Sequence, residues 1–139
     1  IYAMAGLRLG YALFGDKALA EKVRKNGQFW SVSAPAQTAG VAALSEKYYL
    51  EETLELVKAE RECLTEKLQN FGFKVYPSEA NFILFYTKLP LDEMLLQKKI
   101  LIRNCANFSG LTDGFFRIAV RSHEENAALA SAIERCLNG

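Results

Sequence analysis

Three arginines in this sequence stand among apolar neighbours: Arg8 within A-G-L-R-L-G-Y, Arg103 at the end of I-L-I-R, and Arg117 within F-F-R-I-A-V-R. A guanidinium so placed must reach water or find an anion, and a phosphate or carboxylate can take two of its N–H groups at once. Strand alternation along the last stretch puts Phe116, Ile118 and Val120 on one face and Arg117, Ala119 and Arg121 on the other. If I-L-I-R is its neighbour in a sheet, Arg103 and Arg117 converge on one anion, with the connecting N-C-A-N-F-S-G-L-T-D-G folded over them. Arg121 is left on the solvent side. The plainer alternatives are an Arg8 paired with a carboxylate at a strand end, and two arginines solvated on an open sheet face.

Other chemistry finds less support. The three cysteines, Cys63, Cys105 and Cys136, form no CxxC, and the single His123 cannot complete a common zinc set, so no metal site is expected. Cys105 has no histidine near it in sequence and reads as a packing residue; His123 reads as a surface residue in the first turn of a helix. Neither G-x-G-x-x-G nor G-K-[ST] occurs, and Gly6 and Gly10 form a GxxxG without membrane meaning. Seventeen Lys and Arg balance sixteen Asp and Glu, which gives no electrostatic reason for a nucleic-acid or membrane partner. No run approaches the roughly 20 apolar residues of a membrane span, and the start lacks a basic signal-peptide region. Reduced thiols and these absences point to a cytoplasmic protein.

The elements that must position the arginines follow from period and punctuation. Leu7 to Phe14, bounded by Gly6 and Gly15, reads as a buried strand. Asp16 caps a short helix from Lys17 to Asn26 that Gly27 stops, and Ser33 caps a second, Ala-rich helix from about Pro35 to Tyr48. Leu50, Leu54, Val57, Leu64, Leu68 and Phe71 recur at spacings of three and four, the stripe of a long helix interrupted only by Arg61 and stopped by Gly72. Its Glu and Lys residues read as ordinary solvated charges. The period then changes: Phe73 to Val75, Phe82 to Tyr86, Ile100 to Arg103 and Phe115 to Arg121 read as strands, with a short helix from Leu91 to Lys99. Ser122 and Glu125 make a capping box for a closing helix whose face is Leu129, Ala132, Ile133, Cys136 and Leu137. Helices interleaved with short strands predict an α/β protein, a small sheet covered by helices, for residues 50–139. Residues 1–49 look like pieces of a larger α/β sheet.

Taken together, I-Y-A-M-A-G-L-R-L-G-Y, S-E-A-N-F-I-L-F, I-L-I-R-N-C-A-N-F-S-G-L and F-F-R-I-A-V-R-S-H-E-E-N resemble, in order across the whole chain, the C-terminal part of class I/II pyridoxal-phosphate aminotransferases. The branch it most resembles holds histidinol-phosphate aminotransferase and threonine-phosphate decarboxylase of cobalamin synthesis. The resemblance implies that residues 1–49 are a remnant of the large cofactor-binding domain of a fold-type I enzyme. Residues 50–139 would be the α+β small domain with the long inter-domain helix. It implies that Arg8 grips the cofactor phosphate, that Arg103 and Arg117 bind the substrate's carboxylate or phosphate, and that Asn81 is structural. The Lys that carries the cofactor would directly precede Ile1, so the chain itself would hold no catalytic residue and would be an inactive fragment without bound cofactor. The N-C-A-N-F run favours L-threonine O-3-phosphate decarboxylase, with a histidinol-phosphate or related aminotransferase as the alternative. A stand-alone anion-binding module, using the same arginines without chemistry, is the alternative of another kind. The intact protein is expected to be a homodimer acting on a small phosphorylated amino acid.

Overall fold

Polar side chains cap the starts of three of the helices among the described residues. The computed structural model describes residues 2–138, and among these are five α-helices and a four-stranded sheet. Helix α1 is Lys17–Asn26, and the Asp16 carboxylate accepts from the Ala18 amide at 2.8 Å. Helix α2 is Ala34–Leu44, where the Ser33 hydroxyl accepts from the Ala36 amide at 3.4 Å. It ends four residues before the predicted Tyr48: the Ser45 and Glu46 amides donate to carbonyls three residues back, at Ala42 and Ala43, which tightens the last turn, and the next helix starts at Lys47. That helix, α3, is Lys47–Asn70, so it begins before Leu50, the first residue of its apolar stripe. Gly72, at φ +80°, closes it: its own amide donates to Gln69 and that of Phe73 to Leu68, the two bonds that a left-handed residue makes possible.

The chain divides into two units, Ile1–Thr53 and Leu54–Gly139, with the boundary inside α3. The second contains the sheet. Its strands are β1 (Lys74–Val75), β2 (Phe82–Tyr86), β3 (Arg103–Asn104) and β4 (Phe115–Ala119), in the order β1-β2-β4-β3 with every pairing antiparallel. Helices α4 (Leu91–Leu96) and α5 (His123–Leu137) complete it. Register sets Ile83 opposite Ile118 and Phe85 opposite Phe116, so the inner face of the central pair β2 and β4 is apolar. Leu64 and Leu68 of α3, Leu91 and Leu95 of α4, and Ala132 and Ile133 of α5 cover that face, giving two layers around one core. Within it the Phe85 ring stacks on Phe73 at 5.6 Å and tilts against Phe116 at 5.9 Å.

The first unit also departs from expectation near its start. Residues 8–14 form no strand: a 3-10 turn at Ala5–Leu7 ends in Arg8 at φ 56°, and the residues that follow carry no regular structure. A strand is held by its ladder, and the strands among the described residues pair only with each other. Tyr11 and Leu13 are therefore 91% and 90% exposed.

Candidate anion site

Antiparallel pairing places Arg103 of β3 directly opposite Arg117 of β4, and Leu84 of β2 lies opposite Arg117 on its other side. Alternation turns this row away from the core, since the buried neighbours Phe116 and Ile118 take the inner face. The two arginines thus share the open face and line one cavity of about 750 Å³ with Lys99, Arg121 and Asn81 on its wall. Like charges directly opposite in a sheet are destabilising. Among the described residues no carboxylate pairs with either guanidinium. Each is instead carried on a ring: Arg117 lies 4.8 Å from the centroid of Phe82 and Arg103 lies 5.5 Å from that of Phe108. Arg103 Nη2 also donates to Asn107 Oδ1 at 3.1 Å, so the linking loop does fold onto it. An anion would discharge the pair, and two guanidinium groups on adjacent strands can grip one bidentately.

Arg121 behaves differently. It is exposed, as expected, and ion-pairs with Glu125 at 2.9 Å. Ser122 accepts from the Glu125 amide at 3.4 Å and donates to its carboxylate at 3.2 Å, which starts α5 where the capping box predicts. Cys105 is buried with its thiol toward the Arg103 carbonyl, a packing residue.

The solvated-charge expectation fails at Glu60. This residue is 8% exposed, and its carboxylate meets His123 Nδ1 at 2.8 Å and accepts from Asn126 Nδ2 at 2.8 Å. The Asn126 amide, next to His123, in turn clasps the Arg121 backbone on both sides, at 3.0 Å to its N–H and 2.9 Å to its carbonyl. Hydrogen bonds from Asn126 and then His123 hold the Glu60 carboxyl below the ordinary glutamate range, against the opposing effect of burial. The sequence carried the signal: Glu60 is three residues after Val57 and four before Leu64, on the stripe itself. Arg61, beside it, donates to the Ala80 carbonyl at 3.1 Å.

The aminotransferase class I and II family model matches residues 1–133. The chain belongs to the class I and II aminotransferase family. Histidinol-phosphate aminotransferase of Methanosarcina mazei is 41% identical over 139 residues, covering 96% of this chain and 36% of that protein. Threonine-phosphate decarboxylase of Salmonella typhimurium is 35% identical over 142 residues, covering 99% and 39%. Among solved structures, histidinol-phosphate aminotransferase from Clostridium acetobutylicum superposes with a TM-score of 0.90 at 33% identity, over 98% of this chain and 42% of that one. The chain thus spans well under half the length of these aminotransferase-family relatives.

Enzymes of this aminotransferase family depend on pyridoxal phosphate, and the donor set of this chain can be tested against that group. Arg8 makes one side-chain hydrogen bond, from Nη1 to the Ala5 carbonyl at 3.4 Å, and pairs with no carboxylate among the described residues. Most of its fork of N–H donors is left for a phosphate, so the residue fits that part of the cofactor. No group of three or more His, Cys, Asp or Glu side chains among the described residues is placed to hold a metal ion, and no helix among them is long and apolar enough to cross a membrane.

Proposed function

We propose that this chain is the C-terminal part of a pyridoxal-phosphate enzyme acting on a small phosphorylated amino acid. Residues 1–49 then belong to the large cofactor-binding domain and residues 50–139 to the small domain. The observation that carries this reading is Arg103 opposite Arg117, two guanidinium groups on one face of the sheet with no carboxylate partner among the described residues. A phosphorylated amino acid brings two anionic groups, a carboxylate and a phosphate, and holding them fixes how the bonds at its Cα are turned. The cofactor, when bound, supplies a sink for the electron pair released at that carbon. Arg8 would hold the cofactor phosphate. Arg103 and Arg117 bind and orient the substrate, and that orientation selects the bond that breaks. Loss of CO₂ makes a decarboxylase; loss of the proton makes an aminotransferase.

L-Threonine O-3-phosphate decarboxylase is the activity we infer first, on the Asn104–Phe108 run that holds Arg103 and on the Salmonella typhimurium relative. Histidinol-phosphate aminotransferase is the second reading, supported by the higher identity of the Methanosarcina mazei relative. The intact protein is proposed to be a cytoplasmic homodimer. The deciding assay gives the full-length protein, with cofactor, either threonine phosphate or histidinol phosphate plus 2-oxoglutarate. CO₂ release from the first supports the decarboxylase, and amino transfer from the second supports the aminotransferase. Phosphate binding with turnover of neither leaves a non-catalytic anion-binding protein. Arg117→Ala is expected to lower kcat/KM by roughly 100-fold, the scale of a lost charge-assisted hydrogen bond; an unchanged value would remove Arg117 from the site.

A further inference from the structure

Arg103 is the more weakly anchored of the two arginines by its own strand, because β3 is only Arg103–Asn104. A long side chain on so short a strand needs something else to aim it, since holding it in one rotamer costs conformational entropy. The loop that follows supplies this. Asn107 Oδ1 takes one N–H of the guanidinium at 3.1 Å, and the Phe108 ring lies against the same group. The cavity wall includes Arg103 but, among the described residues, neither Asn107 nor Phe108, so both act on the cavity through Arg103.

The loop is itself fixed. Asn104 Oδ1 accepts from the Ala106 amide at 3.0 Å while its Nδ2 donates to Asp92 of α4 at 2.9 Å. The Phe108 amide donates to the Cys105 carbonyl at 3.0 Å, and Cys105 is buried. The chemistry at position 107 is also selective. A neutral amide orients a guanidinium without cancelling its charge, whereas a carboxylate there would pair with Arg103 and compete with any incoming anion.

We propose that Asn107 and Phe108 are positioning residues that hold the Arg103 guanidinium ready for the anionic group of the substrate. This rests on the reading of Arg103 as a substrate ligand. The test measures KM and kcat of the full-length holoenzyme with the phosphorylated substrate it turns over, and calorimetric affinity for inorganic phosphate, for Asn107→Ala, Asn107→Asp, Phe108→Leu and Arg103→Ala. Asn107→Ala and Phe108→Leu are expected to raise KM about five- to tenfold with kcat within about twofold, the pattern of lost binding that is uniform along the reaction. Asn107→Asp is expected to raise KM further than Asn107→Ala, although it keeps an acceptor of the same size.

A merely structural loop residue gives the opposite order, because Asp would preserve the loop better than Ala. KM at or below the Asn107→Ala value in Asn107→Asp overturns the proposal, as does an unchanged KM in both. KM does not depend on how much protein is folded, so partial unfolding does not blur the result. The phosphate affinities must follow the same order, independently of turnover. If Arg103→Ala raises KM while the loop variants do not, the positioning role alone falls. If Arg103→Ala leaves KM and phosphate affinity unchanged, the substrate role of Arg103 falls with it.

Discussion

The two units treat the same kinds of residue in opposite ways. In Leu54–Gly139 apolar side chains from three helices and the sheet close over one another, and Phe85, Ile83, Leu91 and Leu95 are wholly buried. Among the described residues of Ile1–Thr53, Ala36 is the one buried apolar residue, while Trp30 and Phe29 are 97% and 95% exposed. Composition does not separate them. What differs is pairing: the sheet unit holds both members of every ladder, whereas residues 8–14 have no strand beside them among the described residues. Apolar pattern creates a demand for burial, and only partners within reach can meet it.

Large-to-small substitution gives the widest separation between the units. Phe85→Ala is expected to cost about 3–5 kcal/mol in urea unfolding of this chain. Trp30→Ala, at a side chain open to water, is expected to stay within about 0.5 kcal/mol. Comparable losses for the two would show that the two side chains do not differ in burial. At Glu60, replacement by Ala leaves one N–H of the buried Asn126 amide unpaired while the other keeps the Arg121 carbonyl, and a loss of about 1–3 kcal/mol is expected in the same measurement.

That carboxylate also gives the fold a pH dependence of definite sign. Its native pKa is lowered, so its contribution is present above the unfolded value, about 4.3 for glutamate, and is lost as pH falls through the native one. Glu60→Gln should therefore flatten the acid limb of a stability–pH curve, and an unaltered limb would show that the His123 and Asn126 contacts do not favour the ionised form. The most local effect is expected at α1 of the first unit. Asp16→Ala removes the cap of α1 and should cost about 1 kcal/mol, visible as amide exchange confined to that helix.

The capped starts of α1 and α2 and the glycine stop of α3 were legible because their causes are local. Asp16 and Ser33 reach amides two or three residues away, and Gly72 needs only its own backbone freedom. The strand alternation that turns Arg117 outward was legible for the same reason. That Arg103 stands opposite it depended on an antiparallel pairing which the sequence could state only as a condition. Glu60 was misread because a charged residue on an apolar stripe looks solvated until its partners, more than sixty residues away, are in place.

By itself the sequence determined the helix caps, the apolar face of each strand, the family and the three arginines suited to anions. These follow from near-neighbour chemistry or from motifs in order along the chain. Only the tertiary structure decided the register that sets Arg103 against Arg117, the ring and amide that hold Arg103, the burial of Glu60, and the absence of a strand at 8–14. Each requires residues far apart in sequence to meet, and side-chain period is blind to which distant partner arrives.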